Sequence, residues 1–182
     1  MAGLKFRVLL DSSAKNEVFR DILIDESATF EVFYKAILNA YNFNGDQMAS
    51  FYMSNDDWDK GQEITLMDMT FGEEPDPTPT MNSTMIKTFM EEADQKIILV
   101  HDFLRLWIFL IELIAVEETA PSQPEVILSI GEAPLEDSKK VEDNDDLFVG
   151  DVDDEDEDEF GFDDFDDDLS DEDYSSFDDF EY

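Results

Sequence analysis

The stretch IILVHDFLRLWIFLIELIAV, Ile97–Val116, decides the fold because it is strongly apolar and long enough to suggest a membrane span. It contains Asp102, Arg105 and Glu112, and three charges near the middle of a span would cost roughly 8–10 kcal/mol to insert. Its charge-free interior run, Leu106–Ile111, is too short to cross a bilayer. We therefore expect no membrane association, and predict two buried strands over residues 96–103 and 106–117, central in a sheet.

Five further strands are predicted on either side of this stretch by alternation of apolar and polar residues. They cover residues 5–11, 18–24, 49–55, 63–69 and 126–130. The polar cluster Ser12–Asn16 between the first two indicates a turn, so these two strands should form an antiparallel hairpin. Residues 72–82 contain three prolines and are predicted to be an exposed loop.

Two helices are predicted from apolar stripes with helical spacing. The first stripe comprises Phe30, Phe33, Tyr34, Ile37, Leu38 and Tyr41. Ser27 or Thr29 can cap its start, and Asn44-Gly45 should end it. The second stripe comprises Met85, Ile86, Phe89 and Met90, and should continue to about Asp94. The element order β-β-α-β-β-α-β-β-β predicts an α+β domain with a largely antiparallel sheet.

The charge distribution divides the chain into two parts. The whole chain has a formal net charge of -38. Residues 136–182 contain 25 acids and 2 Lys, whereas residues 1–135 contain 24 acids and 9 bases. We predict that residues 1–135 form the folded domain and that residues 136–182 form a disordered acidic tail, because the tail cannot bury enough apolar surface to offset its chain entropy.

Composition also argues against several classes of function. A chain this acidic should not bind nucleic acid directly, since phosphate binding needs clustered Lys and Arg. There is no Cys and one His, so thiol chemistry and His-rich metal clusters are excluded. Residues 1–7 lack the apolar run of a signal peptide, which favours a cytoplasmic protein. No catalytic residue, metal ligand or cofactor is assigned from the sequence.

Two groups in the domain remain as candidates for chemistry. Asn55, Asp56, Asp57 and Asp59 could supply oxygen ligands to Mg²⁺, but a solvated loop is the favoured interpretation because nothing in the sequence fixes their geometry. His101 is predicted to be structural or exposed. Of the two Trp residues, Trp107 should be core, and Trp58 could cover a sheet edge or contact a partner.

The tail carries aromatic residues between its acids. Six of them are predicted to bind a partner: Phe160, Phe162, Phe165, Phe177, Phe180 and Tyr182. Acidic-aromatic alternation keeps apolar anchors solvated and available for another protein. The alternative is a tail that acts through its charge alone, as a solubilising segment.

Five segments, in order, resemble motifs of one family. They are residues 18–20, 29–37, 47–51, 101–107 and 131–137. The family is the plasmid pRiA4b ORF-3-like family, sometimes labelled transposon-passenger or resolvase-like, and the resemblance extends from Phe6 to Asp137. It implies an α+β fold and little about activity. A recombinase would need Arg residues around a phosphate, and the three here are dispersed.

The resemblance also identifies positions that match the family's motifs and positions that depart from them. The motif positions, expected to be structural, are Arg20, Asp102, Phe103, Trp107 and Pro134. The positions at which relatives could form a His/Asp site are Tyr34, Gln47, Ala49, Arg105 and Phe109, so this chain should lack most of such a site. We therefore predict a non-enzymatic interaction protein whose acidic tail binds a basic protein surface. An enzyme with an unassigned carboxylate or metal site in the folded domain is the alternative.

Overall fold

The computed structural model describes residues 1–13, 15–73 and 75–139. Its strands are β1 (Gly3–Asp11), β2 (Phe19–Asp25), β3 (Ala49–Ser54), β4 (Glu63–Thr65), β5 (Lys96–His101), β6 (Trp107–Glu117) and β7 (Glu125–Ile130). One α-helix, α1 (Phe30–Tyr41), and two 3₁₀ turns, Ile86–Thr88 and Glu136–Ser138, complete the described elements. The predicted α+β class, with helical structure against a largely antiparallel sheet, is confirmed.

The described strands form one sheet in the order β4-β3-β5-β6-β1-β2-β7. Every neighbouring pair is antiparallel. The stretch that opened the sequence analysis forms β5 and β6 in the middle of the sheet, so the two-strand prediction is confirmed. Within the described residues, no helix is both long enough and apolar enough to span a membrane.

Helix α1 packs on one face of the sheet through its apolar stripe. The Phe33 ring lies 4.6 Å from that of Phe6 and 5.8 Å from that of Phe51. The Tyr41 hydroxyl donates to the Val8 carbonyl at 2.7 Å, so a buried polar atom is satisfied by the sheet itself. The Thr29 hydroxyl accepts the Val32 N–H at 3.3 Å and caps the helix. The helix therefore contacts strands on both sides of β6, β1 on one side and β3 on the other.

The end of α1 was predicted wrongly. Asn42 takes the left-handed conformation directly after Tyr41, with φ of 57°, so the helix ends before Asn44-Gly45 is reached. Asn is one of the few residues other than glycine that tolerate this conformation, because its short polar side chain bonds locally. The reversal comes early enough for Phe43 to turn back into the core, where it is buried.

The second predicted helix is also wrong: only the 3₁₀ turn Ile86–Thr88 forms. Ile86 and Met90 are buried as the stripe requires. However, the N–H groups of Ile86 and Lys87 donate to the carbonyls of Ala28 and Glu26. These bonds join the segment to the chain before α1. The N–H groups of Glu91 and Glu92, which a continuing helix would need, donate instead to the side-chain oxygen of Gln95.

The fourth strand is shorter than predicted, ending at Thr65 rather than at residue 69. The Thr65 N–H donates to the Pro79 carbonyl, and Thr65 bridges to Thr80 in parallel. The chain beyond it leaves the sheet, and Met67 and Met69 are exposed. A distant segment therefore pairs with the last residue of β4.

Candidate functional site

The most connected polar cluster surrounds His101 at the end of β5. The imidazole is fully buried, on the helix side of the sheet. Its Nδ1 lies 2.9 Å from the Tyr34 hydroxyl, and its Nε2 lies 2.8 Å from Oε1 of Glu136. The ring therefore joins α1 to residues Leu135–Lys139, which we call the closing segment.

Glu136 is held at several atoms. Its Oε2 accepts the Asn44 N–H at 2.7 Å, and its backbone carbonyl accepts the Trp107 indole N–H at 3.0 Å. Burial alone would raise the pKa of Glu136, but the hydrogen bonds from His101 and from the Asn44 backbone hold its pKa below the ordinary value. The carboxyl group is consequently ionised at neutral pH.

The protonation of the cluster follows from its geometry. An ionised carboxylate only accepts hydrogen bonds, so Nε2 of His101 must carry a hydrogen. Burial raises the pKa of Tyr34, reinforced by the negative charge of Glu136, so its hydroxyl stays protonated. In a neutral ring, Nδ1 then accepts from Tyr34. Every polar atom of the imidazole and carboxylate has a protein partner. The cluster therefore links α1, β5 and the closing segment, and it is not an open acid-base site.

Asp102 builds the turn between β5 and β6. Its Oδ1 accepts the N–H groups of Leu104 and Arg105, at 3.0 Å and 3.2 Å. Its own N–H donates to the Met48 carbonyl, and Asp102 and Leu106 both have positive φ. This turn places Trp107 at the start of β6 with its indole N–H directed at Glu136, and its side chain is buried as expected.

Arg20 is a buried cation that bonds to carbonyl oxygens. Its Nη1 donates to the carbonyls of Phe19, Ile130 and Gly131, the latter two at 2.9 Å and 3.2 Å. Its guanidinium also lies 4.9 Å from the centre of the Tyr41 ring. Arg20 thereby joins β2, α1 and the end of β7, and fixes where the chain leaves the sheet toward Pro134.

A cleft of about 690 Å³ lies beside this cluster. Trp107, Pro134 and Lys139 line it, together with Ser12 and Ser13 of the turn after β1. The Lys139 ammonium donates to the Leu106 carbonyl at 2.7 Å and lies 5.4 Å from the centre of the Trp107 ring. Its cation is thus already bound to the wall of the cleft.

The structure therefore brings four of the five motif residues to one region: Arg20, Asp102, Trp107 and Pro134. Phe103, the fifth, is exposed in the turn after β5. The predicted partner-binding residues Phe160, Phe162, Phe165, Phe177, Phe180 and Tyr182 lie outside the described residues.

Three of the five positions at which relatives could carry a His/Asp site fall close to the same cluster. Tyr34 contacts His101 directly, and Ala49 is the β3 partner of His101. Phe109 packs on Phe43, whose ring centre is 5.9 Å from that of His101. Hydroxyl, methyl and phenyl groups thus occupy the surroundings of the imidazole in this chain.

The polar side chains of residues 55–59 form contacts that hold this loop in its conformation. The side-chain oxygen of Asn55 accepts the N–H groups of Asp57 and Asp59, and its amide donates to the Asp59 carboxylate at 3.0 Å. Asp56 pairs with Lys96 at 2.8 Å, and Lys96 also lies 5.9 Å from the centre of the Trp58 ring. Among the described residues, no group of three or more His, Asp and Glu is arranged to hold a metal ion.

Sequence reasoning missed Glu136 and Asn44. Glu136 was assigned to the tail because composition changes there, yet its side chain reaches the buried His101. No periodic pattern could indicate this contact, since it joins single residues far apart in the chain. The remaining signal was chemical: the one His of the chain requires polar partners if it is buried.

The comparisons with known proteins cover most of the chain. A crystal structure of a protein of unknown function from Methanosarcina mazei Go1 is similar, with a TM-score of 0.63, 16% identity, and coverage of 80% of this chain and 79% of that one. No curated protein matches. The family model for plasmid pRiA4b ORF-3-like protein matches residues 2–178. The match extends well past Asp137, so the expected limit was wrong. The chain belongs to the plasmid pRiA4b ORF-3-like protein family.

Proposed function

We propose that this protein is a non-enzymatic interaction protein whose acidic C-terminal residues, 136–182, bind a basic protein surface. The observation that carries the proposal is compositional. These residues contain 25 acids and eight aromatics, and charge alone would not require the aromatics. Acids steer a basic partner toward the chain, and aromatic side chains supply apolar contact once it has arrived.

The charges of the described residues support the same function. Arg7 pairs with Asp21, Lys35 with Glu31 and Lys96 with Asp56. Arg20 and Lys139 bond to carbonyl oxygens. These five cations are committed to internal contacts, so little positive charge opposes attraction of a basic protein.

The closed geometry around His101 favours binding over catalysis as the role of the domain. The imidazole and the Glu136 carboxylate direct all their polar atoms at protein groups. Within the described part of the chain, every buried side-chain nitrogen or oxygen has a hydrogen-bond partner. The domain then acts as a scaffold, and residues 136–139 fasten the acidic segment to it.

The test compares two peptides on the full chain. Both carry six Lys in adjacent pairs; one has Leu-Trp pairs between them and the other has Ser-Ser pairs, so neither has apolar residues at alternate positions. Calorimetry should show the Lys/Leu/Trp peptide binding about tenfold more tightly, a difference of about 1.4 kcal/mol. Binding of both should weaken between 50 and 300 mM NaCl.

A charge-matched variant isolates the aromatics. Changing Phe160, Phe162, Phe165, Phe177, Phe180 and Tyr182 to Ser keeps the net charge of -38. The variant should bind the two peptides equally. If it keeps the wild-type preference, the aromatics are not the contact and the proposal fails. Truncation after Leu135 would be a poor substitute, because it also removes Glu136 from His101.

A further inference from the structure

Strand β7 lies at one edge of the sheet and is exposed along its whole length. Four of its six residues are apolar: Val126, Ile127, Leu128 and Ile130 are each 40–47% exposed. The register with β2 passes from Asp21↔Leu128 to Ile22↔Val126, so Ile127 sits at a bulge without a partner in β2. An apolar strand is therefore presented to solvent at the edge.

Beyond its pairing with β2, the described backbone of β7 has one hydrogen bond, which the Ile130 carbonyl accepts from Arg20. Within residues 1–13, 15–73 and 75–139, β7 pairs only with β2. Natural edges are usually protected by Lys, Pro, a bulge or short length, and of these β7 has the one bulge at Ile127. β7 has no Lys and no Pro, whereas the opposite edge strand, β4, has three residues and Thr65 bridged to Thr80. Outward N–H and C=O groups of a strand are matched best by another extended chain.

A groove beside β7 can receive side chains of such a chain. It measures about 400 Å³ and runs between α1 and β7. Its apolar lining is Ile22, Val32, Ala36, Ala40, Pro124 and Val126. Lys35 also borders it, with its ammonium paired to Glu31 at 3.0 Å. Alternate side chains of an added strand point to one face, so apolar residues at every second position would enter this groove.

The ends of β7 carry negative charge. Glu125 and Glu132 are exposed at its two ends. A second copy of this chain would fit poorly. Antiparallel pairing of two β7 strands would bring Glu125 of each copy beside the Glu132 end of the other, in chains that each carry -38. Charge complementarity requires basic residues at both ends of the occupant.

We propose that the outer edge of β7 binds an extended segment of a basic partner by strand addition, with apolar residues at alternate positions between flanking Lys or Arg residues. This contact goes beyond the function proposed above, because it lies on the folded domain. It requires no part of residues 140–182.

The probe is a fluorescein-labelled peptide of alternating Val and Thr with two Lys at each end. Its matched control has N-methyl groups on alternate backbone amides, which keeps the charge and removes the donors along one edge. Anisotropy with the full chain should show at least about tenfold weaker binding of the methylated peptide, a difference of about 1.4 kcal/mol. Equal binding of the two peptides would overturn the proposal.

A surface substitution locates the contact. Ile127→Lys should weaken binding of the unmethylated peptide at least about tenfold, since a Lys on an edge strand disfavours addition of a further basic strand. Met69→Lys makes the same charge change at an exposed position outside the sheet, and should bind as wild type. Circular dichroism establishes that both variants fold. Wild-type affinity in the Ile127→Lys variant would remove β7 from the binding site.

Light scattering tests whether a second copy of this chain occupies the edge of β7. A dimer of the wild-type chain that dissociates in the Ile127→Lys variant would mean that a second copy occupies β7, and would overturn the proposal. The variant with six aromatic residues changed to Ser should retain the preference for the unmethylated peptide. Loss of the aromatic-dependent binding and loss of the β7 contact are therefore separate results.

Discussion

At the scale of single residues, the stability of the domain depends on a few long-range polar contacts. His101 and Glu136 join β5 to the closing segment, and Arg20 joins the ends of two strands to α1. Each contact replaces water for a buried polar group. Loss of one partner therefore leaves the other buried without its hydrogen bond, which costs about 1–3 kcal/mol.

Replacing Glu136 with Gln tests this argument. One end of the new amide is a donor facing either the His101 N–H or the Asn44 N–H. We expect the free energy of unfolding in urea to fall by about 1–3 kcal/mol. Asp137→Asn removes the same charge at the next, exposed position and should change it by less than about 0.5 kcal/mol. Equal losses in the two variants would contradict a specific role of Glu136.

The comparison of wild type with Glu136→Gln also predicts how the free energy of unfolding depends on pH. The folded pKa of Glu136 is lowered, so its carboxylate stabilises the fold above the unfolded pKa, and this contribution is lost as pH falls through the folded pKa. The difference in free energy of unfolding between wild type and Glu136→Gln should therefore shrink below about pH 4. Urea titrations from pH 7 to pH 3 measure it; a difference that grows on acidification would contradict the sign.

At the scale of elements, the sequence predicted the helix and strands whose apolar residues recur at regular spacing. It missed features that depend on contacts of individual residues. The stripe from Phe30 to Tyr41 and the alternation of Phe6, Val8 and Leu10 identified α1 and β1 because many residues carry the same signal. The stripe around Ile86 was misleading. Burial there is real, but the N–H groups of residues 91 and 92 donate to the Gln95 side chain and do not continue a helix, which no apolar pattern encodes.

The same reasoning applies to the candidate site. Trp107 was predicted as core from its apolar surroundings, and it is buried. Its indole bond to Glu136 could not be predicted, since it depends on how the turn at Asp102 directs the chain. The sequence therefore identified Trp107 as a buried residue, and only the structure identified Glu136 as its hydrogen-bond partner.

The start of α1 permits a further prediction. The Thr29 hydroxyl accepts the Val32 N–H at 3.3 Å. Thr29→Ala should lower the free energy of unfolding by about 1 kcal/mol because that N–H loses its acceptor. Thr29→Ser retains an oxygen at the same position and should recover most of the loss in a urea titration. If Ser is as destabilising as Ala, the lost methyl group and not the cap accounts for the effect.

At the scale of the whole molecule, charge dominates. A formal net charge of -38 disfavours any compact state through repulsion between its own groups. It also keeps copies of the chain apart, which allows an apolar edge such as β7 to remain exposed. High negative charge and an open edge are thus compatible properties of one protein.

Salt should therefore stabilise the fold. Between 10 and 150 mM NaCl the screening length falls from about 30 Å to about 8 Å, which weakens repulsion between distant carboxylates. The midpoint of thermal unfolding, measured by circular dichroism, should rise by several degrees. A matching rise in KCl would attribute it to ionic strength. A midpoint that falls with salt would mean that ion pairs such as Arg7–Asp21 outweigh the repulsion.

The His101 cluster also has a consequence for spectroscopy. The chain contains one His, so every imidazole resonance in a magnetic resonance spectrum of the intact protein belongs to this ring. Its two nitrogens contact α1 and the closing segment separately. In 15N-labelled protein, the Nε2 chemical shift compared with that of Nδ1 therefore reports on the contact with Glu136. A single residue, without residue-specific assignment, can reveal whether the closing segment stays attached when a partner binds.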